Sequence, residues 1–276
     1  MVILLQCSDR VGLVADISSI MAGANLNIIS MKEYVNVNEN RFYIRLEVQG
    51  QTDFEQLHEQ IKIKLPADTD ISIRPYEKKK VALLVTKEHH CLGDILLRHH
   101  FNTLGADVQC VIGNYDDLSA LTQKFDIPFH HITHEGKEKH IFEQQILETL
   151  AGYEFDYIIL AKFMRILSPE FNSKYPSRII NIHHSFLPAF IGAHPYKQAY
   201  ERGVKLIGAT AHFVTNVLDD GPIIAQQTIP VNHAHSVKDM IRLGREIEKS
   251  VLANALQYVL QDKVLVYHNK TIVFES

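Results

Sequence analysis

The sequence predicts an α/β protein in two parts: a ferredoxin-like α+β unit, then a doubly wound, mostly parallel sheet with helices between its strands. In residues 1–76 the apolar patterns follow the order β-α-β-β-α-β. In residues 81–276 short β-branched runs alternate with amphipathic helical patterns. A charged run over 77–80 separates the two parts. We therefore expect domains over 1–76 and 81–276 with a linker over 77–80.

The elements of the first unit follow from local patterns. Helical spacing of Leu13, Ile17 and Met21 predicts a helix that ends at Gly23. Strict alternation over 41–48 predicts a strand whose Phe42, Ile44, Leu46 and Val48 share one face. Thr52 and Glu55 suit a capping box for a second helix. Further short apolar runs predict strands at 2–6, from Leu26 to Ile29, and at 71–73.

In the second unit, strands and helices alternate and then give way to antiparallel pairing. Apolar runs of strand length stand at 81–85, 108–112, 157–160 and 179–181, with helical patterns at 93–104, 118–125 and 139–151. The runs 207–214 and 223–229 predict an antiparallel pair joined by the loop that carries Asp219. Ser236 suits the cap of a long helix, and a terminal hairpin turns about Asn269-Lys270.

Composition excludes several classes of protein. The 276 residues are 46% apolar and 22% charged, with a net charge of −4, which does not suit a general nucleic-acid binder. Cys7, Cys91 and Cys110 form no CxxC pair, and no apolar run reaches membrane-spanning length. The beginning of the sequence does not resemble a signal peptide, so we expect a cytoplasmic protein. Many of the 16 histidines are adjacent pairs that point apart, so we expect no metal site.

The stretch Asn181-Ile182-His183-His184-Ser185-Phe186-Leu187-Pro188 is the centre of the chemistry. Because alternate strand residues face the same side, Asn181 and His183 should point into one space at the carboxyl end of a strand. An amide donor, an imidazole and the carboxylate of Asp219 suit attack on a carbonyl group. Each residue also has a purely structural interpretation, as a turn residue or a packing histidine.

Several blocks resemble the formyltransferases that use 10-formyltetrahydrofolate. The blocks are Asn181 to Pro188, His212-Phe213-Val214, Asp219 to Ile224, and Leu160 to Ser168. The resemblance implies a folate pocket formed by Met164, Arg165, Ile166, Leu167 and Thr215. Arg165 would reach the glutamate carboxylate of the folate, although an arginine at a helix start can also make a surface pair. His212 remains open between a site residue and a packing residue.

The first unit resembles the amino-acid-sensing ACT domains. Asp9 to Leu13 and Gly23 to Ile28 carry this resemblance. It implies a site for a small amino acid near Asp9, Arg10, Gly12 and Asn27. A dimerisation module without a ligand fits equally well. In either case we expect a homo-oligomer, a dimer or a tetramer, and neither nucleic acid nor membrane as a partner.

The loop after the first parallel strand distinguishes among formyl-group enzymes. Residues 87–94 contain one glycine, Gly93, and the anionic Glu88 and Asp94, so they do not suit a phosphate. If the phosphorylated acceptor is absent, water is the simplest replacement. The domain order and this loop resemble the formyltetrahydrofolate deformylases, which implies hydrolysis of 10-formyltetrahydrofolate to formate and tetrahydrofolate. The folate is then the substrate, and no cofactor is expected.

The expected mechanism depends on three residues. Asn181 donates to the developing oxyanion, and His183 is a second oxyanion partner or passes a proton to N10. Asp219 orients His183 and favours its protonated form, or takes the proton from water itself. Transfer to an amine acceptor and a non-catalytic folate or amino-acid sensor remain alternatives. The role of the loop that contains His89 and His90 is left open.

Overall fold

The structure, a computed structural model, describes residues 1–189 and 195–275 of the chain. Two compact units are distinguished by their internal contacts. The first comprises residues 1–77, 262–265 and 272–276, and the second comprises residues 78–261 and 266–271. The division of the chain at residues 77–80 into two sequence domains stays a prediction.

The first unit is a four-stranded antiparallel sheet with two helices. The strands lie in the order β2-β3-β1-β4. A single apolar core, which includes Leu5, Ile17, Ile44 and Ile61, fills the space between sheet and helices. The elements are β1 Val2–Ser8, α1 Leu13–Gly23, β2 Asn27–Asn36, β3 Arg41–Gln49, α2 Phe54–Lys64 and β4 Asp70–Arg74.

One detail of this unit differs from the sequence prediction. Asp53, and not Thr52, caps α2, because its side chain accepts hydrogen bonds from the backbone N–H groups of Glu55 and Gln56. The middle of the second face of β3 is buried as well: Tyr43 is fully buried and Arg45 is 4% exposed. Arg45 tolerates burial because it donates to the carbonyl of Asp262 at 2.8 Å.

The second unit is a seven-stranded mixed sheet in the order β11-β10-β9-β8-β5-β6-β7. Five neighbouring strands, β9, β8, β5, β6 and β7, are parallel to one another, whereas β10 pairs antiparallel with both β9 and β11. This confirms the predicted fold class. The elements are β5 Lys79–Val85, α3 His89–His100, β6 Ala106–Gly113, α4 Ser119–Gln123, β7 Phe129–His131, α5 Lys139–Leu150, β8 Tyr157–Leu160, α6 Pro169–Lys174, β9 Ile179–His183, α7 Pro195–Arg202, β10 Leu206–Phe213, β11 Ile223–Pro230, α8 Val237–Leu260, β12 Val264–Tyr267 and β13 Lys270–Val273.

The helix after β5 begins earlier than the sequence predicts. It starts at His89 and not at Gly93, so His89 and His90 belong to its first turn and not to a loop. The apolar periodicity hides this because a polar residue, His90, occupies the buried face beside Cys91 and Leu92. The short elements β7, α6 and α7 are likewise absent from the sequence prediction, since each is too short for a clear period.

The parallel strands determine where polar side chains gather. β8 and β9 run side by side, with Leu160 paired to Asn181. The carboxyl ends of both strands therefore open on the same edge of the sheet, where ligands bind in open α/β folds. Among the described residues, no helix is both long and apolar enough to cross a membrane.

Candidate active site

A cavity of about 350 Å³ opens at the carboxyl ends of β8 and β9. Its walls come from these strand ends, the segment that follows β8, and the loop between β10 and β11. The eight residues predicted for catalysis and folate binding all line it: Asn181, His183, Asp219, Met164, Arg165, Ile166, Leu167 and Thr215. The structure thus brings together side chains that are up to 55 positions apart in sequence, from Met164 to Asp219.

His183 and Asp219 form a buried pair at the base of this cavity. The Nδ1 atom of His183 lies 3.3 Å from Oδ1 of Asp219. His183 is only 5% exposed. Its other ring nitrogen, Nε2, is buried and has no hydrogen-bond partner in the described part of the chain. An unpartnered nitrogen in a ligand-sized cavity is available to a substrate atom.

The loop that carries Asp219 is held tightly against β10. Asp219 has a left-handed backbone with φ of 55°. Two residues later, a Cβ on Gly221 would lie 1.7 Å from the carbonyl oxygen of Phe213, so no other residue fits there. Burial raises the pKa of the Asp219 carboxyl. The hydrogen bond from His183 and the neighbouring imidazoles outweigh burial, so the net pKa lies below its ordinary value.

His212 is a site residue whose role the sequence left open. It stands opposite Asn181 in the β9–β10 register, and its Nε2 lies 3.2 Å from Nδ2 of Asn181. Its Nδ1 lies 2.9 Å from the carbonyl oxygen of Phe213, and a carbonyl can only accept, so Nδ1 carries the proton. Burial lowers the pKa of His212, so the ring is neutral near pH 7. Nε2 therefore accepts from the amide of Asn181 and orients it.

The segment after β8 forms the apolar wall of the cavity. Met164 and Ile166 are 53% and 61% exposed, which leaves their side chains available at the cavity mouth. The backbone N–H of Met164 donates to Oγ1 of Thr86 at 2.9 Å, and Ser168 caps α6 through Phe171. The segment is therefore anchored at both ends while its side chains face the opening.

A buried ionic network lies next to the cavity, and no local sequence pattern indicates it. Oε2 of Glu248, in α8, lies 2.7 Å from Nε2 of His90 and 3.2 Å from Nζ of Lys162, which also lines the cavity. The hydroxyl of Tyr196 donates to Oε1 of Glu248 at 2.6 Å. Only the tertiary structure brings these residues together, because Glu248 lies 158 positions after His90.

The charges in this network are coupled. Burial lowers the pKa of His90, but hydrogen bonds with Cys91, Glu248 and Glu88 outweigh this and raise it to about 11. The contact with His90 lowers the pKa of Glu88 to about 2. His184, which follows the catalytic candidate His183, behaves oppositely: burial and the nearby charge of Lys162 lower its pKa to about 4.

One group of side chains in the described ranges has metal-ligating atoms close together: His90, Cys91 and Glu248. Nζ of Lys162 lies 3.2 Å from the same Glu248 oxygen that His90 contacts. An ammonium group and a protonated imidazole at that carboxylate disfavour a second cation. The arrangement fits an ion-pair network better than a metal centre.

The residues predicted for an effector site fall into two places. Asp9, Arg10 and Gly12 lie in the loop after β1, where Arg10 bonds to Asp16 at 2.7 Å. Asn27 pairs with Gln49, whereas the end of β1 pairs with Arg41, eight positions away along β3. At about 3.3 Å per residue the two places are about 26 Å apart. One copy of this unit therefore does not bring all of the predicted residues together.

Comparisons with known proteins agree with both parts of the fold. The family described as formyl transferase matches residues 79–256, and the ACT domain family matches residues 1–64. The formyltetrahydrofolate deformylase of Haemophilus influenzae is 47% identical over 272 residues, which cover 99% of this chain and 98% of that protein. The chain belongs to the formyltetrahydrofolate deformylase family. Members of this family are hydrolases, and the resemblance noted in the sequence is confirmed.

Solved structures separate the deformylases from the transferases. The crystal structure of a formyltetrahydrofolate deformylase from Pseudomonas syringae matches with a TM-score of 0.95 and 40% identity, covering 99% of this chain and 94% of that one. A glycinamide ribonucleotide transformylase from Symbiobacterium toebii matches with a TM-score of 0.69 and 27% identity. This match covers 73% of this chain and 96% of the transformylase chain.

Proposed function

We propose that the chain hydrolyses 10-formyltetrahydrofolate to formate and tetrahydrofolate at the site formed by Asn181, His183 and Asp219. One observation carries the proposal: His183 lines the cavity, its Nε2 is buried and has no hydrogen-bond partner among the described residues, and its Nδ1 lies 3.3 Å from a carboxylate oxygen of Asp219. This is the arrangement that a histidine needs to exchange a proton with a substrate. The substrate carries the one-carbon group itself, so the reaction needs no cofactor.

In the proposed reaction, His183 moves one proton. Water attacks the formyl carbon, and Nε2 of His183 takes a proton from that water as the new C–O bond forms. The same proton then passes from Nε2 to N10 of the folate as the C–N bond breaks. Formic acid leaves as formate after it loses its remaining acidic proton to solvent. Asp219 holds Nδ1–H and stabilises the positive charge that the ring carries between these two steps.

Asn181 stabilises the oxyanion that forms when water attacks. Its amide has two N–H groups, and one of them is directed to His212. The orientation imposed by His212 leaves the second N–H for the oxygen of the formyl group. Such a donor contributes roughly 3 kcal/mol to a transition state of this kind.

Asp219 is a poor alternative as the base for water. Its pKa lies below its ordinary value, which makes the carboxylate a weaker proton acceptor.

Water as the acceptor is supported by the first turn of α3. The cap residue of that helix is Glu88, whose carboxylate lies 3.1 Å from Nε of Arg245 and 3.4 Å from Nδ1 of His90. Glu88 makes no capping hydrogen bond, but a carboxylate on the residue before the first turn disfavours a phosphate at that helix start, because like charges repel. The apolar wall at Met164 and Ile166 would hold the pterin of the folate.

The deciding experiment measures formate released from 10-formyltetrahydrofolate without any added amine. We expect steady release, and a loss of at least about 100-fold in His183→Ala. His140→Ala is the matched control, because the side chain of His140 is 74% exposed on α5. Release that requires an added amine would identify a transferase. Folate binding without turnover in either assay would identify a sensor.

For the N-terminal unit we propose regulation by a small amino acid bound at the loop of Asp9, Arg10 and Gly12. The ACT match to residues 1–64 supports this role. Asn27 would join the loop of a second copy, since one copy separates them, and a homo-oligomer follows from that arrangement. The test is formate release in the presence of each common amino acid, with Arg10→Ala as the variant. A response that persists unchanged in Arg10→Ala would exclude this loop.

A further inference from the structure

A buried lysine in the wall of the cavity has an unusual backbone conformation. Lys162, which follows β8, lines the cavity together with His183 and His184. Its φ is 63°, in the left-handed region that a residue with a side chain seldom adopts. Such a conformation persists only where the surrounding structure holds it, and it is commonest at functional sites. We therefore asked what holds Lys162 and what its charge does to the reaction.

The backbone on both sides of Lys162 is fixed. The N–H of Ala161 donates to the carbonyl oxygen of Leu84, in β5, at 3.0 Å. The N–H of Met164 donates to Oγ1 of Thr86, the residue that follows β5, at 2.9 Å. The segment is thus bonded to the neighbouring strand before and after Lys162, which keeps the left-handed turn in place.

The side chain of Lys162 is fixed as well. Its Nζ lies 3.2 Å from Oε2 of Glu248, and the two side chains are only 6% and 1% exposed. The same carboxylate accepts from the hydroxyl of Tyr196 at 2.6 Å and lies 2.7 Å from Nε2 of His90. A carboxylate with several partners has little freedom to move. The ammonium group of Lys162 therefore has one position beside the cavity.

The network around Lys162 has an excess of positive charge. Among the described residues it contains two carboxylates and three cationic groups: Glu88, Glu248, His90, Lys162 and Arg245. The charge of Lys162 also acts on the cavity wall, since burial and this charge together lower the pKa of His184 to about 4. His184 is therefore neutral near pH 7, and this part of the wall is cationic through Lys162.

We propose that Lys162, held by Glu248, determines the acceptor by excluding amines from the formyl group, so that water is the nucleophile. The inference rests on the proposed function, because it assumes hydrolysis at His183. Aliphatic amines are mostly protonated near pH 7, and an amine that attacks a carbonyl carbon gains positive charge on its nitrogen. A fixed ammonium group opposes both charges. Water is neutral, and the proton that it loses makes His183 positive beside the carboxylate of Asp219.

The excluded reaction is formyl transfer. The amine nitrogen would form a bond to the formyl carbon, and the bond from that carbon to N10 would break. One proton would pass from the amine to N10 through His183, and the products would be a formamide and tetrahydrofolate. Both reactions use the same substrate and leaving group, so the ratio of formamide to formate reports the choice of acceptor alone.

The test measures both products from 10-formyltetrahydrofolate in an excess of a small primary amine, glycinamide, after subtraction of the reaction without enzyme. We expect wild type to release formate with little N-formylglycinamide. In Lys162→Gly the ratio of N-formylglycinamide to formate should rise by at least about tenfold, because glycine adopts a φ of 63° freely and the cation is gone. Lys162→Met removes the charge and keeps most of the volume, so the ratio should rise there too.

A third variant and two controls separate this effect from a loss of structure. Lys162→Gly/Glu248→Gln removes the cation without leaving a buried carboxylate unpaired, and we expect it to show the same rise. The product ratio does not depend on the fraction of active enzyme. Ser177→Gly, at an exposed left-handed residue with φ of 55°, and Lys124→Met, at an exposed lysine, lie outside the cavity and should keep the wild-type ratio.

The outcomes distinguish the two proposals. An unchanged product ratio in all three Lys162 variants overturns the inference and leaves the proposed function intact. A rise in the glycine variants without one in Lys162→Met overturns exclusion by charge. Loss of both products in all three variants also overturns it, because Lys162 would then be required for hydrolysis itself. If wild type releases no formate, the proposed function fails, and the inference fails with it.

Discussion

Replacing Asp219 by asparagine isolates the charge at the centre of the site. The two side chains have the same shape, and asparagine tolerates the left-handed backbone, with φ of 55°, that Asp219 adopts. The substitution removes a negative charge 3.3 Å from Nδ1 of His183 and 3.9 Å from Nε2 of His212. Loop geometry and cavity shape stay as they are, so the loss of activity measures electrostatics.

The size of the effect follows from the distance. Opposite charges 3.3 Å apart attract by about 5 kcal/mol at an effective dielectric constant of about 20. The asparagine oxygen keeps a neutral hydrogen bond to His183, worth about 1 kcal/mol. The transition state, with a charged His183, therefore loses about 3–4 kcal/mol. Since each 1.36 kcal/mol is a factor of ten, kcat falls by about 10²- to 10³-fold.

The assay is steady-state release of formate over a range of 10-formyltetrahydrofolate concentrations, which gives both kcat and KM. KM should change little, because the apolar wall at Met164 and Ile166 is untouched. Asp220→Asn is the matched control, since the Asp220 side chain is exposed and should retain full turnover. Asp219→Asn with a native thermal midpoint and more than about a third of wild-type kcat would refute the charge-stabilisation argument.

Three further predictions concern the supports of the site. Gly221→Ala places a Cβ against the carbonyl of Phe213, so the loop must shift. We expect the free energy of unfolding, measured in urea, to fall by about 1–3 kcal/mol and most turnover to be lost. A variant with wild-type stability and wild-type turnover would contradict this. Glu248→Leu leaves Lys162 without its carboxylate partner and His90 with Glu88 alone, so unfolding should become easier by about 3–5 kcal/mol, which a urea titration measures. The pKa of His90 is about 11 in the folded protein against 6.5 when unfolded, so protonated His90 stabilises the fold fully below pH 6.5, and this stabilisation is lost as the pH rises toward 11. The urea midpoint of wild type should therefore fall between pH 7 and 10 more steeply than that of His90→Gln. Equal slopes for the two proteins would contradict this prediction.

Local patterns predicted much of the fold correctly. The strand at 157–160, the long helix capped by Ser236 and the antiparallel pair around Asp219 all follow from a short window of residues. Periods of two and 3.6 residues are imposed by backbone geometry, so a window of that size is enough to detect them. One error falls where a local rule had two candidates, Asp53 and Thr52 at the start of α2, and another falls where the polar His90 occupies the buried face of α3.

The candidate site likewise has features that the sequence predicted and features that it did not. By itself the sequence determined that Asn181 and His183 share one face, because alternate residues of a strand point to the same side. It also determined that Asp219 lies in a turn. Only the tertiary structure decided that His212 orients Asn181 and that Glu248 balances His90. These partners meet through strand register and helix packing across distant parts of the chain. Because these side chains are buried, the protonation state of each one depends on its partners, and no local sequence pattern encodes that dependence.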